Sequence, residues 1–573
     1  MPSRAENPED SGLSPVSVAL KSGRWEYLVP IAILLTLLGY IVGYPDRINH
    51  DCALVLSCAQ VLFHGGLPYV DFVDVNPPLI FYVNLVPVLL ASVTGLGLPL
   101  AFSIFVFVLL LVSTLATAAF LRNSVFQFTL WTRTFILSVS LLFSLFVYAI
   151  GDFGQREHLF AVVFFSWFWC RMIRYSGGRV APIISVPVGI LVGIVACLKP
   201  HFLMIVFFVE IVALIEGKNF KVLLRPEALS LFVVGLAYGL HFLFLPAVVK
   251  EALFGRWLPL FARYYRGTDL DLPSYYAHHS LAIPAGVSLA LVCVVALVAV
   301  WQRGQRSLMI ELAGAAFVAS VLSMWIQKKG YSYHLVPAKL SLILVVITLS
   351  IWWHEESVRR EGVFRYISRR FRDVPATVVA LSLFFFSLKG LVAPGGYYAW
   401  YESFEPFREA ILKYTSETDQ VTFFSGVHGG YPTLVQVNRL PGSRYLTGVP
   451  SVVFYRDSLR FDSAGRFLYH GVGQMPREEK QIVDDLAEDI HQRRPKLIFV
   501  NDSDSSRVYS KGFRILPYLR HVGIIENAMS GYTLIGRVSG HLMYMRVDSG
   551  DGSSSGSRTG SRIDPSVRRA VTD

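Results

Sequence analysis

The 573 residues are 53% hydrophobic and 14% aromatic, only 16% are charged, and the mean hydropathy is +0.48. Soluble domains carry about 25% charged residues, so this composition excludes a soluble chain and places much of it against lipid. The net charge of +11, from 52 Lys and Arg against 41 Asp and Glu, would point to nucleic acid only if the cations formed a patch, and they do not.

A bilayer core takes roughly 20 apolar residues to span as a helix. Behind a cytoplasmic segment of residues 1–25, runs of that kind occupy 26–44, 98–121, 134–150, 180–198, 228–248, 281–301, 308–326, 335–353 and 374–393. Two shorter runs, 159–173 and 201–215, have fitting flanks, and the expectation is about eleven spans. The first run is long and lacks a small-residue cleavage site, so it reads as a retained span and not a signal peptide. The five cysteines show no metal-ligand spacing and read as buried apolar side chains.

Charge sets the orientation. With the N-terminus inside, the inner connections carry Lys21 and Arg24; Arg122 and Arg133; Arg171, Arg174 and Arg179; Lys218, Lys221 and Arg225; Arg303 and Arg306; and the arginines of 354–373. Every inner loop then obeys the positive-inside tendency. Counting the further apolar stretch Pro78–Val93 as a span would put several of these groups outside. That stretch is therefore expected as a half-buried juxtamembrane helix on the outer face. The basic excess is a topology signal, and nucleic acid is not an expected partner.

The spans make residues 26–393 a transmembrane domain. Residues 394–548 have ordinary composition and are expected as an extracytoplasmic domain. Its runs VTFFS (421–425) and KLIFVN (496–501) read as strands, 478–493 as a helix and 532–547 as a terminal hairpin, together a small α/β domain. Residues 549–573, rich in Ser, Gly and Arg, are expected as a disordered tail.

Three outer stretches carry chemistry. Asp51 begins a short helix just after the first span, with Asp71 and Asp74 following in GGLPYVDFVDVNPPL (65–79). An Asp there is often only a helix cap, yet the density of polar neighbours favours a functional role. The connection GDFGQREHLF (151–160) sets Asp152, Arg156, Glu157 and His158 beside the bilayer, where ionisable groups default to function. The third set is cationic and aromatic: Lys199, His201, Arg263, Lys328, Lys329, Tyr331 and His334. Interfacial anchoring accounts for many outer tyrosines, but converging cations suit an anionic headgroup such as a lipid phosphate.

Taken in order, these motifs resemble the GT-C glycosyltransferase superfamily, in its branch of protein mannosyltransferases and lipid A aminoarabinose transferases. The matching positions are Asp51, Pro77-Pro78-Leu79, the Arg156–Glu157 pair, Lys199-Pro200 and the stretch from Lys328 to Pro337, over residues 25–390. Glu157 stands where the branch has Asp, and its Arg is adjacent instead of two residues before. The resemblance implies a GT-C-like membrane domain and inverting transfer of a sugar from a polyprenyl-phosphate donor. It likewise implies an acceptor on the outer face of the plasma membrane, whether lipid, glycan or protein. Asp51 would serve as general base, Asp152 and Glu157 would position the acceptor or a cation, and Lys199, Lys328, Lys329, Arg263 and His334 would hold the phosphate. No cofactor is required by the motifs; a divalent cation, Mg²⁺ or Mn²⁺, is left open. The alternative expectation is a transporter or flippase of a lipid-linked sugar.

Overall fold

The structure, a computed structural model, describes residues 27–124, 126, 128–217, 220–264, 308–329, 331–359, 374–392, 404–425, 430–446, 450–455, 461–463, 465–502 and 512–547. The apolar runs fold as helices, since a chain in lipid must satisfy its backbone internally. In order these are α1 (Leu28–Gly43), α2 (His50–Phe63), α3 (Leu79–Thr94), α4 (Leu98–Arg122), α5 (Leu130–Ala149), α6 (Arg156–Tyr175), α7 (Pro182–Cys197), α8 (Pro200–Gly217) and α9 (Pro226–Phe244). After a helical run from Ala247 to Tyr264 with a π-helical turn at Glu251–Trp257 come α10 (Leu308–Gln327), α11 (Val336–Arg359) and α12 (Val374–Val392). Each expected span on described residues is one of these helices. The run 281–301, the N-terminal segment and the tail 549–573 lie outside the described residues. Among the described residues, five helices are long and apolar enough to cross a membrane: α4, α5, α9, α10 and the stretch Ser332–Trp352. Several shorter apolar helices accompany them, α3 in place of Pro78–Val93 among them.

The chain divides into two compact units: residues Met1–Arg47, Ser103–Leu243 and Leu270–Gly395 form one, and Ile48–Phe102, Phe244–Asp269 and Gly396–Asp573 the other. In the first, α6 is the central helix, buried from Glu157 to Ile173 without interruption. It packs on α7 and α11, and α10 packs between α8 and α11. Proline opens α7, α8 and α9, where its missing N–H costs nothing. Gly189 and Gly193 on α7 let α9 approach closely: a Cβ on Gly189 would meet Glu227 and Ser230, and one on Gly193 would meet Leu231 and Val234.

In the second unit, α2 packs on α3. The C-terminal part adds α13 (Glu405–Tyr414), β1 (Val421–Phe424), α14 (Arg477–Arg493), β2 (Leu497–Asn501), α15 (Ile515–His521), β3 (Tyr532–Val538) and β4 (His541–Arg546). The strands form one sheet in the order β1-β2-β4-β3, with β1 and β2 parallel and the other pairs antiparallel. A parallel pair needs a crossover, and α14 lies within it, turning Ile482, Leu486 and Ile490 inward at helical spacing. The β3–β4 hairpin turns on Ser539 and Gly540, both at positive φ, as a two-residue turn matched to strand twist requires. Phe423 and Phe499 stack at 4.6 Å, and Phe407 of α13 packs edge-on to both.

Candidate functional site

In the first unit, four chain segments bring their ends together. The turn before α6 is bent by Gly151 and Gly154, whose φ values of 84° and 80° suit glycine, and it delivers Asp152 into a buried position. Glu157 follows in the first turn of α6 and is fully buried. Lys199, immediately before Pro200 of α8, places Nζ 2.5 Å from Glu157 Oε1. Its ammonium also donates to Gln327 Oε1 at the end of α10, at 3.2 Å, and lies 5.5 Å from the centre of the Tyr333 ring. His334, on a 3-10 turn before α11, is buried with Nε2 3.8 Å from the same Glu157 oxygen. Tyr331 and Tyr333 stack in parallel, and both pack edge-on to His334. The cluster is thus one carboxylate and one ammonium in an aromatic setting, with a histidine within ion-pair reach.

The remaining expected residues divide. His158 is fully buried and accepts the Gly154 N–H on Nδ1 at 3.2 Å, which leaves the proton on Nε2. That nitrogen, like His201 Nε2 and Glu157 Oε2, has no hydrogen-bond partner among the described residues. Arg156 opens α6 beside them. Lys328 is exposed at a φ of 49° and Lys329 is half-buried; the ion pair to Glu157 belongs to Lys199. In the second unit, Asp51 lies in the first turn of α2, its N–H capped by Asn49 at 2.8 Å and its carboxylate 3.1 Å from His50 Nδ1. Asp71 accepts the Leu67 N–H at 2.7 Å, and Asp74 accepts both nitrogens of Asn76, so these two acids hold the loop. Arg263 lies on the helix Leu258–Tyr264.

Two features were not singled out as site residues in the sequence. Lys339 on α11 sits 5.5 Å over the Phe146 ring, within the field of Asp152. An ionisable group inside an apolar span is a signal that could have found it. At the other end of α6, Arg171 grips Glu210 with Nε and Nη2 at 2.7 and 2.6 Å and reaches Glu227 with Nη1 at 2.9 Å. Tyr175 donates to Glu210 at 2.6 Å, and Arg174 to Glu227 at 3.1 Å. This network gives Glu210, an isolated acid in the sequence, its partner. Among the described residues, no three His, Cys, Asp or Glu side chains converge to hold a metal ion.

No protein-family model matches the sequence, and no curated protein does. Solved structures do match. ArnT from Cupriavidus metallidurans in the apo state aligns with a TM-score of 0.52 at 12% identity, over 92% of this chain and 98% of that one. ArnT bound to undecaprenyl phosphate aligns with a TM-score of 0.51 at 11% identity, over 91% and 98%. The chain has the fold of ArnT. At this identity the likeness is one of fold alone. The ArnT fold is that of a multi-pass helical membrane protein, in agreement with the apolar helices.

Proposed function

We propose that the chain is a membrane glycosyltransferase that moves a sugar from a polyprenyl-phosphate donor to an acceptor on the outer face of the plasma membrane. The observation that carries this reading is the fold shared over 91% of the chain with ArnT, which was crystallised with undecaprenyl phosphate. The buried Lys199 cluster supports it, since a lipid phosphate needs a cation screened from water. About eleven spans and an outer α/β domain complete the proposed topology.

In the proposed step the acceptor hydroxyl attacks the anomeric carbon. A bond from that carbon to the acceptor oxygen forms, the bond to the phosphate oxygen breaks, and the phosphate keeps the electron pair. Asp51 takes the acceptor proton, Asp152 orients the acceptor, and Lys199 with His334 steadies the departing phosphate. Arg263, Lys328 and Lys329 add positive charge for the lipid headgroup.

Purified protein in detergent, given undecaprenyl-phosphate sugars and extracted envelope acceptors, is expected to release undecaprenyl phosphate without any sealed membrane. Sugar-lipid movement across sealed vesicles with no transfer in detergent would instead favour a flippase. An Asp51→Asn form that inserts normally is expected to lose about 10²–10⁴-fold in transfer rate; full activity would remove Asp51 as the base.

A further inference from the structure

We infer that Glu157 is a release residue: a positioning carboxylate that takes Lys199 back from the phosphate product. The inference rests on the transferase reading above and goes beyond it.

The two ends of α6 show two kinds of buried ion pair. At the Arg171 end, a guanidinium forks onto both oxygens of Glu210, Tyr175 adds a further bond, and Glu227 is shared by two arginines. That is the arrangement of a static pair, planar and satisfied on every side. At the Glu157 end, the cation is a lysine and a single carboxylate oxygen is used. Glu157 Oε1 takes the Lys199 contact at 2.5 Å, while Oε2 is buried with no partner among the described residues. A half-satisfied buried carboxylate is costly to keep. Its point contact with a flexible ammonium is also the kind that a competing anion can break. Gln327, the next acceptor of Lys199 at 3.2 Å, is neutral, so it does not compete by charge.

Charge bookkeeping supplies the reason for such a contact. The donor is a phosphodiester with one negative charge. When the sugar leaves, the phosphate becomes a monoester with a second acidic proton of pKa about 6, hence close to two negative charges at neutral pH. The lysine that stabilises the leaving phosphate therefore holds the product harder than the donor. Glu157 offers the same ammonium an intramolecular anion. As Lys199 returns to Glu157, the phosphate loses its counter-charge and faces a carboxylate instead.

The test measures binding to the full-length protein in detergent, with undecaprenyl phosphate and its methyl diester as probes. Glu157→Gln is expected to bind the monoester on the order of tenfold tighter, with a smaller gain for the diester. In the unmodified protein the monoester is expected to bind no more than about threefold tighter than the diester. A carboxylate that merely holds Lys199 in place gives the opposite sign, weaker binding of both probes in Glu157→Gln. That result in a variant with normal elution and thermal unfolding overturns the inference. So does a preference of the unmodified protein for the monoester beyond about tenfold, a comparison that stands even where the variant fails to fold. Lys199→Ala separates the two levels. If it leaves both probes unaffected, the lipid-phosphate reading itself fails; if it weakens both while Glu157→Gln tightens neither, only the release role falls.

Discussion

Glu157 and Arg171 are separated by less than four turns of one helix, about 21 Å, and each pairs in the interior of the same unit. Removing one partner of a buried pair leaves an uncompensated charge, at a cost of about 3–5 kcal/mol. Arg171→Met is therefore expected to lower stability by that order, read as thermal unfolding in detergent, because Glu210 loses its cation and Glu227 keeps only Arg174. A loss within about 0.5 kcal/mol, the scale of a surface substitution, would mean the network is not formed. The acids and bases of this site were legible one by one: Lys199 from its place before Pro200, Glu157 from its place in a short charged connection. Their pairing was not, since nothing in sequence spacing joins positions 157, 199 and 334. His541 gives a pH prediction in the second unit. Burial holds its imidazole below the ordinary 6.5, with Nδ1 donating to Ser539 O at 3.1 Å. The unfolded chain takes up the proton first as pH falls, so the stability tied to neutral His541 is full above about pH 6.5 and is lost as pH drops toward the lower folded-state value. With the intrinsic pH dependence of exchange divided out, the hydrogen-exchange protection of β2 and β4 is expected to fall between about pH 7 and pH 5, and His541→Gln is expected to flatten that slope.

The helices themselves were readable from apolar run length, because a lipid-facing helix leaves few other signals to compete. Their packing was less so. The Gly189 and Gly193 pair is plain in the sequence of α7, yet only the structure shows it receiving Glu227, Ser230, Leu231 and Val234 of α9. A side chain at Gly189 would run into backbone of α9. Gly189→Val is expected to cost about 1–3 kcal/mol, seen as a lower unfolding temperature, whereas Gly235→Val on α9, with open space around it, is expected to be tolerated. Equal effects at both positions would contradict this packing. In the C-terminal part, the strands at 421–424 and 497–501 and the hairpin are legible as short apolar runs, while the turn at Ser539 and Gly540 is seen in the structure. The parallel pairing of β1 with β2 depends on α14 lying between them in sequence.

At the scale of the molecule, the second unit gathers three separate stretches, 48–102, 244–269 and 396–573. Their joints are polar. Arg256 donates to Asp485 of α14 at 2.5 Å, Trp257 donates to the Tyr69 carbonyl at 2.9 Å, and Arg493 donates to the Asp71 carbonyl at 2.8 Å. Burial, with the Asp485 charge beside it, pushes the Tyr445 phenol up, so Tyr445 stays protonated and donates to Asp485. No sequence pattern announces these long-range ties, which is why the second unit reads from sequence as beginning only near residue 394. Asp485→Ala is expected to raise protease sensitivity of the 244–264 stretch, and unchanged cleavage would deny Asp485 this role. The central claim is chemical, and lipid analysis tests it most directly. In cells lacking the protein, mass spectrometry of polyprenyl phosphates and surface glycans is expected to show one accumulated polyprenyl-phosphate sugar together with loss of that same sugar from an envelope acceptor. Unchanged lipid-linked sugars with an unchanged envelope would contradict it.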